Sequence, residues 1–208
     1  MSRDRRLPGL SAWGRVADGR EHQIRRRSNV EIYLDSRLDA DSILGFGFEH
    51  VCIATGARWR RDRVNRQHVV PFPIDPGMPL CIPDNIMEGN LPTGGVVIAG
   101  DNHYHMGGVL AALLAIRGCE VSLITPAAHV SDWTRNTLEQ AAIHQHLAGL
   151  GVEIVLKRGV TAIGAGHAVS NCLYTGTTGS HGCDAVVRVA SRQGEDRLFR
   201  DLAARQET

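Results

Sequence analysis

The run Gly100-Asp-Asn-His-Tyr-His-Met-Gly107-Gly108 is the stretch whose residue types and spacing come closest to doing chemistry. It lies between a short apolar run and a helix-like one. A strand that opens through a glycine turn into a helix can hold a pyrophosphate, because the unpaired amides and the dipole of the helix N-terminus face the anion. The usual spacing is Gly-x-Gly-x-x-Gly. Here Asn102 stands at the second glycine, Asp101 puts a negative charge where phosphate would lie, and the next glycine comes later than the pattern allows. The setting therefore favours a dinucleotide while the loop chemistry opposes one. The strand that follows ends in Ile124-Thr-Pro126, with no charged residue to read a ribose, which argues against NAD(P). His103 and His105 flank Tyr104 in a loop without thiolates, so polar packing is preferred to metal ligation. His144 and His146, two apart on a helix, point to different faces. No Gly-x-Ser-x-Gly elbow or His-Glu-x-x-His helix argues for hydrolysis. No catalytic residue and no metal site is assigned.

The elements around this loop give the architecture. Gly95–Gly100 reads as a buried strand, Gly107–Ile116 as a helix of small apolar residues stopped by Arg117-Gly118, and Glu120–Thr125 as a returning strand. Together they make a β-α-β unit with a parallel crossover. Upstream, His50-Val-Cys-Ile-Ala-Thr-Gly56 reads as another buried parallel strand closed by Thr55-Gly56, with Cys52 as a small buried hydrophobe, and Val30–Leu34 as a short strand. The opening of the chain lacks a strand–glycine turn–helix unit, so the sequence enters its fold partway through. Residues 71–92, rich in proline, glycine and aspartate, mark a linker or irregular crossover. Downstream, Ser131 is expected to cap a helix with a stripe at Leu138, Ala141, Ala142, Gln145 and Ala148. Val152–Leu156 is a strand, and residues 159–190 an antiparallel meander ending in Cys183–Ala190. Residues 194–203 close the chain as a helix. Trp59 and Trp133 are read as packing anchors. Arg188 interrupts an apolar strand, and a buried guanidinium must find solvent or a partner.

The chain has 208 residues, 43% hydrophobic, with a formal charge of +1. This composition describes an ordinary globular protein and implies no nucleic-acid partner. The clusters Arg3-Asp-Arg-Arg6, Arg25–Arg27 and Arg58-Trp-Arg-Arg61 are read as solvated surface. Five cysteines stand singly at 52, 81, 119, 172 and 183, with no Cys-x-x-Cys pair for zinc or an iron-sulfur cluster. Cys119 is expected to be a small buried hydrophobe, like Cys52. No apolar run suffices to cross a bilayer, and Met1–Leu7 lacks a signal-like apolar segment. The expectation is a reduced cytoplasmic protein without a membrane partner.

Three segments carry a family resemblance: His50–Trp59, Asp101–Leu110 and Val130–Glu139. On these the sequence resembles trimethylamine dehydrogenase and its relatives, the dimethylamine and histamine dehydrogenases and the dimethylglycine demethylase type. In that family the second glycine loop is itself replaced by an acidic segment followed by His, aromatic residues and Met-Gly-Gly. This sequence departs at Gly100 and Asn102, where relatives tend to be acidic, and at His105, where they carry an aromatic. The resemblance implies an α/β fold, a Rossmann-like FAD/NAD(P)-binding domain of the disulfide-reductase type with a parallel sheet and β-meander, preceded by an incomplete first nucleotide-binding domain. The implied division is 1–79 for the remainder of the first, ADP/FAD-type domain, 80–93 for a linker, 94–190 for the NAD(P)-like domain, and 191–208 for a terminal helix leading back to the first.

The implied function is that of a dinucleotide-binding fragment of a flavin and iron-sulfur amine dehydrogenase acting on N-methylated or simple amines, inactive alone. FMN and the four-iron cluster would belong to a barrel outside this chain. The chain would begin after the glycine-rich strand of the first domain and stop before a later Gly-Asp segment. The nucleotide the resemblance admits is ADP or FAD. Its candidate contacts are Ala54, Thr55 and Gly56 in the first domain, and Gly100, Asp101, Asn102, Gly107 and Gly108 in the second. Two alternatives stay open: a separate nucleotide-binding or electron-transfer subunit docking on an FMN/iron-sulfur barrel, and a non-catalytic structural or regulatory module. An unpaired sheet edge would favour self-association.

Overall fold

The computed structural model describes residues 4–206. The reading of Met1–Arg3, including the first basic residue of the Arg3–Arg6 cluster, and the end of the 191–208 segment at 207–208 lie outside the described residues. The helices are α1 (Gly14–Arg25), α2 (Ala40–Gly45), α3 (Pro83–Met87), α4 (His105–Ile116), α5 (Gln140–Gly149) and α6 (Arg197–Gln206). The strands are β1 (Ala57–Trp59), β2 (Leu80–Cys81), β3 (Gly95–Gly100), β4 (Glu120–Thr125), β5 (Glu153–Leu156), β6 (Arg158–Gly164), β7 (His167–Cys172), β8 (Thr178–Gly182), β9 (Ala185–Val189) and β10 (Arg192–Gly194). The described residues form two compact units: those up to Arg15 with Trp59–Ser191, and Val16–Arg58 with those from Arg192 onward.

The larger unit is built on a five-stranded sheet in the order β2-β9-β3-β4-β5, every pair parallel. Parallel sheets are stable where both faces are covered, so their strands are apolar throughout rather than alternating. In β3, Val96 and Ile98 face a core completed by Leu110 and Leu114 of α4, Leu147 of α5 and Ile86 of α3. Val97, between them, packs on the other side with Phe72, Met78, Val160 and Ile163. Covering that second face is an antiparallel sheet of β6, β7 and β8. The α/β class, the β3-α4-β4 crossover and the three-stranded meander agree with the sequence reading.

Several details differ. The strand expected to end the meander leaves it: β9 inserts between β2 and β3, and all five of its residues are buried. A run apolar on both faces fits the middle of a parallel sheet, where each face meets a packed layer, better than a solvent-facing ribbon. Residues 80–93, expected as a linker, carry β2 and α3 and bury Ile82, Ile86 and Met87. Ser131 does not cap a helix. It adopts left-handed geometry (φ 51°) before a short 3-10 turn, Asp132–Arg135, and α5 begins at Gln140. The expected stripe is consequently wrong: Leu138, left-handed as well, is 90% exposed, while α5 buries Leu147, flanked by half-buried Ile143 and Leu150. Trp59 is buried as expected, but Trp133 is half exposed, with the Arg66 guanidinium 4.4 Å from its ring centre.

The smaller unit contains α2, α6 and most of α1, and the short pairing of β1 with β10. Asp39 caps α2 by accepting from the Ser42 amide (2.9 Å), and Arg205 of α6 pairs with Asp41 (2.9 Å). Neither Val30–Leu34 nor His50–Gly56 forms a strand, and Cys52 is exposed rather than buried. A parallel strand draws its stability from hydrogen-bonded neighbours on its edges, and no described strand pairs with either run. Cys119 is half-buried rather than buried, and its thiol donates to the Pro92 carbonyl (3.3 Å). Among the described residues no helix is long and apolar enough to cross a membrane.

Candidate nucleotide-binding site

In an open parallel sheet, ligands bind at the carboxyl ends of the strands. In the larger unit that edge is made by Gly100 and Asp101 after β3, Ile124–Pro126 at the end of β4 and Arg188–Ala190 at the end of β9. The loop after β3 is held by its own chain. The amides of Asp101 and Asn102 both donate to the Val189 carbonyl (2.9 Å each), so two of the N–H groups that could face an anion are turned to β9. Asn102 Oδ1 accepts from the Tyr104 amide (3.2 Å), and the His103 carbonyl accepts from the Trp133 amide (2.9 Å). Asp101 is 5% exposed and its Oδ2 accepts from the Arg66 amide at 2.6 Å. His103 Nε2 lies 3.6 Å from Asp101 Oδ1, and the His105 ring packs on Tyr104 with centres 4.0 Å apart.

Gly107 and Gly108 belong to the body of α4 rather than to the loop, and both are buried. A Cβ on Gly108 would come 3.1 Å from Ser131 Oγ and 3.2 Å from Ile143 Cγ2, so this glycine lets α5 and the 131 turn approach α4 closely. Gly100, Asp101 and Asn102 thus share the crevice, while Gly107 and Gly108 serve the helix interface.

Arg188 is 2% exposed. Its Nη2 reaches the Val64 carbonyl at 3.5 Å and its guanidinium lies 5.2 Å from the Phe72 ring centre, while Nη1 has no hydrogen-bond partner among the described residues. Burial lowers its pKa from the usual arginine range, against the attraction of Asp62 and Asp101. Sequence reasoning flagged Arg188 as a misfit in an apolar strand but missed its surroundings, Val64, Arg66 and Phe72, since nothing in 62–72 signals that the segment lies over the sheet edge.

The other candidate group lies in the smaller unit. Ala54, Thr55 and Gly56 are exposed. Thr55 Oγ1 donates to the Glu195 carbonyl (2.5 Å), and the Gly56 carbonyl accepts from the Glu195 amide (3.0 Å). Gly56 has φ +79°, and no atom lies within 4 Å of where its Cβ would be. A left-handed glycine with an open Cα face allows close backbone approach by a ligand.

Histamine dehydrogenase from Rhizobium sp. 4-9 is 60% identical and superposes with a TM-score of 0.95 over 99% of this chain and 32% of its own. Over the span it shares with them, the chain is similar to amine dehydrogenases of the trimethylamine dehydrogenase type. The 6-hydroxypseudooxynicotine amine oxidase of Pseudomonas geniculata N1, at 41% identity and TM-score 0.93, is covered over 31% of its length by 99% of this chain. Dimethylamine dehydrogenase of Hyphomicrobium sp. (strain x) is 29% identical over 96% of this chain and 30% of its own. The chain therefore spans about a third of the relatives it matches. A 2-naphthoyl-CoA reductase, 19% identical with a TM-score of 0.70 over 94% of this chain and 28% of its own, shares the fold. No protein-family profile matches the chain.

Proposed function

We propose that this chain is the nucleotide-domain segment of a cytoplasmic flavin and iron-sulfur amine dehydrogenase, and that it does not oxidise amines alone. The carrying observation is the apolar surface of the smaller unit. Val30, Ile32, Tyr33, Leu34, Leu38, Leu44, Phe46, Phe48 and Val51 are all at least 38% exposed within some twenty residues of sequence. Exposed apolar residues this dense along a chain mark a surface that another protein part covers. An FMN- and cluster-bearing barrel, corresponding to the remaining two thirds of the relatives' length, is the proposed cover.

Among the described residues no group of three or more His, Cys, Asp or Glu could hold a metal ion, so the iron-sulfur centre does not fit this chain. A bound flavin supplies the hydride acceptor that amine oxidation needs. The proposed contribution of this chain is a nucleotide contact at Ala54, Thr55 and Gly56, where Gly56 offers an open backbone face and Thr55 is fixed through Glu195. ADP or FAD is the proposed ligand. The division into a first-domain remainder and an NAD(P)-like domain is kept as part of this reading, with the boundary moved from residue 80 to 58/59, where the compact units divide.

Thermal denaturation of the full chain with millimolar ADP, FAD, NAD or NADP is the test. A ligand at 100 times its Kd adds about 2.7 kcal/mol, or roughly 5–11 °C for a chain of this size. ADP or FAD should raise the midpoint, and Gly56→Val should abolish the rise. A folded chain with no shift from either nucleotide refutes the contact at residues 54–56.

A further inference from the structure

Where a dinucleotide would lie in the larger unit there is a cavity of about 10 Å³, lined by Asp101, Gly100, Ile124, Phe72, Asn65 and Arg188 among others. Among the described residues, two buried polar atoms of its lining residues, Arg188 Nη1 and Asp101 Oδ1, make no hydrogen bond, His103 Nε2 lying 3.6 Å from the latter. We propose that this narrow crevice holds one resident water molecule that bridges Arg188 Nη1 and Asp101 Oδ1.

Size and charge select the ligand. A single water needs roughly 10–15 Å³ and two to four polar partners, which the cavity and its two orphan groups supply. The ligand must accept from a guanidinium and donate to a carboxylate, and water does both. An anion would meet the Asp101 carboxylate, and a cation the Arg188 guanidinium. Asp62 and Asp101 act on the Arg188 charge as attractive neighbours and Arg63 and Arg60 as repelling ones, and a pyrophosphate arriving here would lie against the buried Asp101 carboxylate.

The cover is built in. Asn65 Oδ1 accepts from the amides of Gln67 (3.0 Å) and His68 (2.6 Å), which curls residues 65–68 into a turn. The Gln67 side chain fills the space beside Gly159 of β6 where any Cβ would collide with it. Arg66 is held twice, by its amide on Asp101 and its guanidinium over Trp133. This inference is independent of the reading of Ala54–Gly56, and the test separates them.

A crystal structure of the full chain with ordered buried solvent should show one water within hydrogen-bonding distance of both atoms. Direct dry contact of Arg188 with Asp101, or density for a larger or anionic group, overturns the proposal. In parallel, thermal midpoints of Arg188→Met, Asp101→Asn and the double variant are compared. Arg188→Met takes the opposite charge away from the buried Asp101 carboxylate and Asp101→Asn takes one away from the buried Arg188 guanidinium, and each should lower the midpoint by about 10 °C. The double variant should lose less than the sum, while additive losses overturn the bridge. A midpoint rise with NAD(P) that Arg188→Met abolishes and Gly56→Val leaves intact shows that the crevice binds dinucleotide after all. A rise with ADP or FAD abolished only by Gly56→Val is expected and leaves the water site as proposed.

Discussion

Gly108 can be tested as a packing residue rather than a cofactor glycine. Its missing Cβ would sit 3.1 Å from Ser131 Oγ, 3.2 Å from Ile143 Cγ2 and 3.7 Å from Leu147 Cδ1. Two effects oppose each other in Gly108→Ala. Alanine in a helix interior is favoured over glycine by about 1 kcal/mol, whereas forcing a methyl into a packed contact costs roughly 1–3 kcal/mol. Leu147 is 1% exposed and carries the α5 contact, so little relief is available on that side. The net expectation is a loss of about 1 kcal/mol, or roughly 2–4 °C. Gly108→Val adds two further carbons towards Ile143 and Leu147 and loses part of the helix-propensity gain, which brings the cost to about 3 kcal/mol or roughly 6–12 °C. Urea denaturation followed by circular dichroism measures both, with the m-value checking that the unfolding unit is unchanged. A valine variant as stable as the parent would show that α4 and α5 are not in close contact at Gly108, and the packing argument would fail.

Two further measurements address chemistry and core. Cys172 is held at a pKa of about 7, chiefly by hydrogen bonding from Thr175, while burial pushes Cys81, Cys119 and Cys183 up. Lowering a thiol's pKa favours the thiolate, so iodoacetamide labelling at Cys172, followed by peptide mapping, should rise about tenfold per pH unit up to about 7 and then level off; a rate still climbing past about pH 8.5, the range of an ordinary thiol, contradicts the assignment. Leu110→Ala, at a position fully buried between α4 and β3, should cost about 2–5 kcal/mol, and a loss below about 1 kcal/mol by chemical denaturation would mean that the α4 face is not part of the cooperative core.

The parts legible in the sequence are those set by local pattern. The β3-α4-β4 unit announces itself because an apolar run, a small-residue helix with a Gly118 stop and a second apolar run fall at the right spacing. The smaller unit misled the reading, since His50–Gly56 looks like a buried strand only if neighbours pair with it, and pairing is a property of the surrounding sheet. Ser131 carried a capping residue type but not the backbone: at φ 51° its side chain makes no capping bond to the turn that follows. At the candidate site the sequence exposed the conflict between loop context and Asp101. It could not show that the Asp101 and Asn102 amides bond to Val189, 88 and 87 residues away, or that residues 62–72 cover the crevice.

The place of β9 in the sheet bears on how the chain is made. Val96 of β3 pairs with Ala185, 89 residues later in sequence. At a synthesis rate of about 5–20 residues per second, that separation corresponds to roughly 5–18 s. During that interval β3, α4 and β4 can associate, but one edge of β3 still awaits its partner, and β2 has no neighbour at all, because β9 is the strand that joins them. Late, non-local pairing of this kind slows folding and leaves a strand edge open to other chains. A nascent chain of this family segment is therefore most vulnerable to aggregation just before its last parallel strand emerges, and ribosome-associated chaperones would have their greatest effect in that window.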